Sequence, residues 1–253
     1  DYDTITSAMD NAQLKSTADG GSYFDNMIEI SRAVQMEDVR LFGTPVDKDQ
    51  WITTPQAVNA FYMPSFNSIN FPAAFMQGEI YSEDAAYEEN LGTVGTVIAH
   101  EISHAFDSSG SQYDEQGNAA NWWTEADAAA FDALCQDTIA YYDGQEAAPG
   151  IVMDGALTLT ENIADLGAMA CATAVGEKTE GFDFEAFYKS YANLWLSTSS
   201  RETVQYYAES DTHSADAIRV DRVLQSTDKF YEVFGIDADD GMYVPPEERV
   251  HIW

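Results

Sequence analysis

Basic residues are scarce in this chain. Its 253 residues include only 11 Lys and Arg against 44 Asp and Glu, which gives a formal net charge of −33. A surface of that charge repels nucleic acid and anionic membranes, and it argues against both as partners. The acidic surface is compatible with a high-salt environment, with export from the cell and with a preference for basic substrates. We expect an exported or cell-surface bacterial protein, with a cytoplasmic location as the alternative.

Long apolar runs and closely spaced cysteines are also absent. No apolar run approaches the length of about 20 residues that a membrane-spanning helix needs. Cys135 and Cys171 show no C-x-x-C spacing, which argues against a thiolate zinc site, while a disulfide between them stays open. Residues 1–22 are polar and show neither an initiator Met nor the pattern of a signal peptide. We interpret them as a linker, the tail of a missing upstream region, in a chain that is a processed product or a piece of a longer protein.

The pattern of apolar residues predicts one predominantly helical α+β domain over 23–253. Two aromatic and β-branched segments, 58–62 and 68–72, are bounded by Pro, Ser and Asn and predict short strands. The first predicts an edge strand beside a cleft, where Asn59 offers its amide to an extended peptide. The alternative is that Asn59 only satisfies a neighbouring turn. Apart from the two helices that carry the candidate site, the predicted helices are 23–41, 125–142, 183–197, 201–209 and 216–234.

The pattern H-E-x-x-H occurs once, from His100 to His104. Two histidines four residues apart lie on one face of a helix, so both imidazoles can reach the same metal ion. Glu101 lies between them as an unligated carboxylate that can take a proton from zinc-activated water. The preceding residues 91–99 are small and apolar and predict a buried helix. That setting disfavours the alternative of a surface helix with incidental histidines, because buried ionisable groups need partners.

A catalytic zinc ion needs a third protein ligand and one open position. The best candidate is Glu161, at the start of a predicted helix that Thr160 would cap. Asp165 lies four residues later on the same face and is suited to accept the outer N–H of a metal-bound histidine. The alternative for this pair is a helix start with two acids that favour the positive end of the helix dipole.

Several motifs in the same order resemble those of the M13 family of zinc endopeptidases, the neprilysin and bacterial PepO type. The resemblance extends from about residue 23 to residue 253, and it implies a thermolysin-like zincin (gluzincin) catalytic domain with a small mixed sheet. The matching stretches are 100–107, 161–165, 58–62 with 71–73, 122–124, 211–214 with 219–220, and the final Trp253.

The resemblance implies roles for particular residues. Zinc, one catalytic ion, would be held by His100, His104 and Glu161, with Glu101 as the general base. Asp165 would orient His100, and His213 would stabilise the oxyanion of the tetrahedral intermediate. Asn59 and Ala60 would hold the peptide main chain, with Arg219 near a substrate carbonyl. Five residues would line the apolar pocket for the residue after the scissile bond, with core packing as their alternative role: Phe75, Ile80, Val97, Leu194 and Trp195.

The expected function is therefore that of a zinc-dependent endopeptidase that hydrolyses oligopeptides on the amino side of hydrophobic residues, without a covalent intermediate. Members of the family are much longer, and their N-terminal portion forms a helical lid over the active site. The alternative is a zinc-containing but non-catalytic surface or binding module that needs this lid region as its partner. A zinc-dependent hydrolase of another substrate class is a third possibility, against which the predicted edge strand argues.

Overall fold

The computed structural model describes residues 10–252. Trp253 and the first nine residues of the predicted linker lie outside the described part. The chain divides into two compact units, Asp1–Thr54 and Pro55–Trp253. Whether the catalytic domain begins at residue 23 stays a prediction.

The first unit contains a short 3₁₀ turn, Thr17–Asp19, and helix α1, Tyr23–Leu41. The bounds of α1 agree with the prediction. Ser22 caps it, because its hydroxyl accepts a hydrogen bond from the N–H of Asp25. None of the residues of α1 is buried.

The second unit is predominantly helical, which confirms the predicted fold class. Its described strands form two separate antiparallel hairpins, β1 (Phe61–Met63) with β2 (Ser68–Asn70) and β3 (Glu146–Ala148) with β4 (Ile151–Val152), so the expected single mixed sheet is wrong. A short turn joins the two strands of each hairpin. The helices are α2 (Tyr87–Asn90), α3 (Thr96–Ser103), α4 (Glu125–Tyr142), α5 (Leu159–Glu177), α6 (Phe184–Leu194), α7 (Arg201–Ser210), α8 (Asp216–Gln225) and α9 (Asp228–Phe234). None of the described helices has the length and apolar character needed to cross a membrane.

The β1–β2 hairpin is shifted relative to the predicted strands. Phe61 pairs with Asn70, so a continued ladder would place Asn59 opposite Pro72. Proline has no N–H to donate, and pairing therefore ends at Phe61. Asn59 and Ala60 precede the strand instead of lying in it, and Ala60 is buried.

Two helix boundaries also differ from the prediction. The helix predicted over 216–234 is interrupted between α8 and α9, where the hydroxyl of Ser226 accepts the N–H of Val250. Helix α5 begins at Leu159, and its N-cap is Thr158, so the prediction that Thr160 caps it is wrong. Thr158 is fully buried and its hydroxyl is used in local hydrogen bonds, which leaves Thr160 free to contact the Ser108 hydroxyl at 3.2 Å.

Helix α5 is the central element of the second unit. All its residues from 162 to 169 are buried, and α3 packs against it. A π-helical turn, Leu91–Gly95, connects α2 to α3. At Gly92 this turn approaches α6 so closely that a Cβ atom would lie 2.4 Å from the carbonyl oxygen of Phe187. The predicted buried helix is thus confirmed, and the packing of α3 on α5 places the two candidate motifs opposite each other. Cys135 and Cys171 are both free thiols, Cys135 buried and Cys171 exposed.

Candidate active site

The two histidines of the H-E-x-x-H motif converge as predicted. His100 lies in α3, and His104 is the residue after its end but keeps a right-handed helical conformation, with φ −58° and ψ −22°. Their Nε2 atoms are therefore 3.0 Å apart, and their rings meet edge to face at 86°. Two ring nitrogens at this separation are directed at one small volume, where a single cation can contact both.

A carboxylate fixes the outer nitrogen of each of these histidines. Nδ1 of His100 donates to Asp165 at 2.8 Å, and Nδ1 of His104 donates to Asp107 at 2.6 Å. This arrangement leaves the Nε2 atoms to face the metal position. Asp165 was predicted in this place from its spacing. Sequence reasoning missed Asp107, although its position three residues after His104 was a signal.

Asp107 is itself held firmly. It is 1% exposed, and its second oxygen accepts the N–H groups of Ser109 and Gly110, both at 2.7 Å. The turn that supplies these donors packs against His104, because a Cβ atom at Gly110 would lie only 1.8 Å from the His104 carbonyl oxygen. The loop after α3 therefore positions His104 from both its backbone and its ring.

Glu161, in the first turn of α5, completes the group. Its Oε2 atom lies 3.2 Å from Nε2 of His100 and 3.6 Å from Nε2 of His104, and one ligand atom of each residue lies within 4.8 Å of the others. This oxygen is buried but accepts no well-aligned hydrogen bond. A buried carboxylate oxygen without a hydrogen-bond partner, beside two imidazole nitrogens, fits the donor set of a zinc ion. The residues present thus fit the metal that their pattern predicts.

The charges of the site follow from these contacts. Burial raises the pKa of Asp165, but Arg219 and His100 outweigh it and hold that pKa well below its usual range. Burial lowers the pKa of His100, but Asp165 outweighs it and raises the value to about 9 in the metal-free chain. Burial likewise raises the pKa of Glu161, and His100 and His213 hold it well below the usual range of a glutamate. Both carboxylates are therefore ionised at neutral pH.

Glu101 differs from Glu161 and Asp165 in the direction of its pKa shift. It is 4% exposed, and its Oε2 atom has no hydrogen-bond partner. Burial raises the pKa of Glu101, while the charges of His100 and His104 lower it less strongly. A carboxylate with a raised pKa and an oxygen that has no hydrogen-bond partner is suited to accept a proton.

His213 comes to the same place from the connection between α7 and α8. Its Nε2 atom lies 3.2 Å from Oε2 of Glu161, and its Nδ1 donates to Asp211 at 2.7 Å. Glu161 raises the pKa of His213, against the effect of burial, and Asp211 adds to the rise. Sequence reasoning missed Asp211, which lies two residues before His213.

Arg219, on α8, is brought to the cleft but is bound to another predicted residue. It is buried, its Nε and Nη2 atoms each donate to Asp165 at 2.7 Å, and its guanidinium lies 3.8 Å above the ring of Trp195. The hydroxyl of Tyr191, which was not predicted, donates to the Arg219 carbonyl at 3.1 Å. Arg219 therefore has a structural partner in addition to any contact with a ligand.

One cleft of about 560 Å³ brings together every residue predicted for the site. Phe75 is buried in a small apolar cluster with Ala60 and Val94, against which Ile80 and Val97 pack. Leu194 and Trp195, at the end of α6, are half-buried. The five predicted pocket residues thus lie in the wall of the cleft, and Phe75, Ile80 and Val97 also belong to this apolar cluster. Residues that line the cleft without having been predicted include Tyr62, Asp107, Thr160, Ala168 and Tyr191.

Comparison with known proteins supports one family. Residues 59–250 match the sequence model of Peptidase family M13. The chain is 36% identical over 242 residues to a neutral endopeptidase of Lactococcus lactis, covering 96% of this chain and 38% of that protein. It is 30% identical over 260 residues to human neprilysin, covering 97% of this chain and 34% of that protein.

Solved structures agree with the sequence comparison. The crystal structure of PepO from Lactobacillus rhamnosis superimposes with a TM-score of 0.88 at 36% identity, over 98% of this chain and 39% of that one. A zinc metalloprotease of Mycobacterium tuberculosis in complex with an inhibitor gives a TM-score of 0.81 at 32% identity, over 90% and 37% of the two chains. The present chain thus spans 34–39% of the length of these relatives.

Proposed function

The chain belongs to peptidase family M13, and we propose that it is a zinc-dependent endopeptidase that cleaves oligopeptides on the amino side of hydrophobic residues. One observation carries the proposal. The Nε2 atoms of His100 and His104 and a carboxylate oxygen of Glu161 meet in a cleft, with the unligated carboxylate of Glu101 beside them. This is the constellation that metal-assisted hydrolysis requires.

The metal ligands in this proposal are His100, His104 and Glu161. When bound there, zinc supplies a Lewis acid that activates water and polarises a peptide carbonyl. Asp165 and Asp107 hold the two imidazoles by their Nδ1–H groups and so fix which nitrogen faces the metal.

Glu101 acts as the general base. Its vacant oxygen accepts a proton from the attacking water, and its raised pKa brings it closer to neutral pH, where a general base works best. It then gives the proton to the amine that leaves. Water attacks the peptide bond directly, so no covalent link to the protein forms.

His213 stabilises the negative charge that develops on the carbonyl oxygen. Its raised pKa favours the charged imidazolium, in which Nδ1–H donates to Asp211 while Nε2 lies in the lining of the cleft, 3.2 Å from Oε2 of Glu161. A donor of this kind contributes about 10²–10³-fold to the rate in other hydrolases.

Asn59 and Ala60 hold the main chain of the peptide. The ladder of the β1–β2 hairpin ends at Phe61, so the backbone of these two residues lies outside it and beside the cleft. Arg219 contributes near a substrate carbonyl through the guanidinium N–H groups that Asp165 does not engage.

The residue after the scissile bond enters the apolar wall of the cleft. Aliphatic and aromatic side chains form this wall, and a hydrophobic substrate residue is preferred because it buries apolar surface there. The wall consists of Phe75, Ile80, Val97, Leu194 and Trp195.

A second candidate is a zinc-binding module that does not turn over substrate until an N-terminal lid region of the same protein joins it. The observation that favours it is that the chain spans 38% of the length of the Lactococcus lactis relative. Cleavage of a quenched fluorescent peptide by this chain with one equivalent of zinc separates the two. Turnover that a chelator abolishes supports the endopeptidase, whereas bound zinc without turnover supports the second candidate.

A further inference from the structure

His213 is presented to the cleft by a short connection between α7 and α8. Its side chain is 45% exposed, so packing alone does not fix its position. Asp211 accepts both the backbone N–H of His213 at 2.9 Å and its Nδ1–H at 2.7 Å. Because Asp211 belongs to the same connection, it orients the ring within the loop but does not fix the loop relative to Glu161.

The residue after His213 reaches across to α5. The hydroxyl of Ser214 donates to Oδ1 of Asn162 at 2.7 Å, and Nδ2 of Asn162 donates to the hydroxyl of Thr158 at 2.9 Å. The Thr158 hydroxyl donates in turn to the carbonyl of Asp154 at 3.0 Å. Ser214, Asn162 and Thr158 are all buried, and we refer to them as the Ser214–Asn162–Thr158 chain.

The Asp154 carbonyl determines the direction of every hydrogen bond in the Ser214–Asn162–Thr158 chain. The Asp154 carbonyl can only accept, so the Thr158 hydroxyl donates to it and accepts the amide N–H of Asn162. The amide oxygen of Asn162 must then face Ser214, which therefore donates. Each buried polar group has its partner, and the loss of one hydroxyl would leave a buried acceptor unpaired.

We propose that Ser214 is a positioning residue: its hydrogen bond to Asn162 holds the connection that carries His213 against the first turn of α5. Nε2 of His213 and Oε2 of Glu161 are 3.2 Å apart. Ser214 follows His213 and Asn162 follows Glu161, so this single hydrogen bond joins the residues next to that pair. The inference rests on the proposed function, because it assumes that His213 acts on substrate. Misplacement of a reacting group by 1 Å can cost about 10²-fold in rate.

A double-mutant cycle tests the proposal on the full chain with one equivalent of zinc and a quenched fluorescent peptide. We expect Ser214→Ala to lower kcat at least about tenfold and to change KM by less than about twofold. Because Ser214 acts through His213, the same substitution in a His213→Ala background should cause no further loss of kcat. The matched control is Ser226→Ala, which removes another buried serine hydroxyl that accepts a backbone N–H away from the cleft. It should leave kcat unchanged.

Two results would overturn the positioning role. The first is a loss of kcat in the double variant that equals the product of the losses in Ser214→Ala and His213→Ala. The second is an unchanged kcat in Ser214→Ala while His213→Ala lowers it. If His213→Ala leaves kcat unchanged, the assumed role of His213 fails instead.

A second readout does not depend on turnover. The chain has four histidines, so the ring signal of His213 can be assigned by NMR from its loss in His213→Ala. We expect it to shift and broaden in Ser214→Ala but not in Ser226→Ala. A ring signal identical to that of the unmodified chain would overturn the proposal even if the chain does not turn over peptide.

Discussion

Arg219 donates to both carboxylate oxygens of Asp165, from Nε and from Nη2, and each bond is 2.7 Å long. The same carboxylate accepts the Nδ1–H of His100. Since the guanidinium also stacks on Trp195, one series of contacts connects the apolar wall of the cleft with a candidate metal ligand. Both members of the ion pair are buried, so Arg219 cannot lose Asp165 without leaving its charge unpaired away from water.

Asp165→Asn should therefore weaken both the fold and the metal site. We expect the free energy of unfolding of the metal-free chain to fall by about 3–5 kcal/mol, because buried Arg219 loses its charge partner. Zinc affinity should fall about 10- to 100-fold, because His100 loses the carboxylate that orients it. Denaturant titration and zinc competition with a chelator measure the two effects. Asp38→Asn removes the same charge from the exposed surface of α1 and is the control. Unchanged zinc affinity in Asp165→Asn would contradict the orienting role.

Glu101→Gln should separate metal binding from catalysis. The substitution keeps the shape of the side chain but removes the group that accepts the proton, so kcat should fall by about 10²–10⁴-fold. Glu101 is not one of the three candidate ligands, so one equivalent of zinc should remain bound. Zinc content by elemental analysis and peptide cleavage on the same sample provide the check. Full activity in this variant would rule out Glu101 as the base.

Ile80→Ala should change the preferred residue after the scissile bond. Ile80 is half-buried in the wall of the cleft, and its truncation enlarges the apolar pocket. We expect the ratio of kcat/KM for a Phe peptide to that for a Leu peptide to rise about tenfold, since one or two methylene groups are worth about 1–3 kcal/mol. Ile69→Ala, at an exposed position on β2, should leave this ratio unchanged. An equal response of both peptides to Ile80→Ala would place the pocket elsewhere.

Gly92→Ala should destabilise the chain although alanine favours helices. The added Cβ would lie 2.4 Å from the carbonyl oxygen of Phe187, and backbone atoms cannot move aside as a flexible side chain can. We expect the free energy of unfolding to fall by about 1–3 kcal/mol. At Gly241 an added Cβ meets nothing within 4 Å, so Gly241→Ala is the matched control. Thermal or denaturant unfolding compares the two variants, and equal stability would argue against close packing of the π turn on α6.

The two thiols should react at very different rates. Burial, with Asp132 and Asp107 nearby, raises the pKa of Cys135 to about 11, which keeps it in the unreactive thiol form. Cys171 is exposed. A thiol reagent at pH 8 should therefore modify Cys171 quickly and Cys135 only when the chain unfolds. Cys171→Ser should remove the fast reaction, and a fast reaction that persists in this variant would contradict the assignment.

The sequence alone determined the local parts of the site. Histidines four residues apart meet on one face of any helix, so the convergence of His100 and His104 followed from their spacing. The same holds for Glu161 and Asp165, although the N-cap of their helix is Thr158. Helix α1 and helix α4 agree with their predictions because good caps, Ser22 and Thr124, mark where they begin.

Only the tertiary structure decided which distant residues meet. The ladder of β1 stops at Phe61 because its continuation past β2 would place Pro72 opposite Asn59, a relation that depends on hairpin register. The Arg219–Asp165 pair and the Ser214–Asn162 hydrogen bond each join residues more than fifty positions apart. Spacing in the chain cannot indicate such contacts, because they arise from the packing of α3, α5 and α8 and from the need of each buried polar group for a partner.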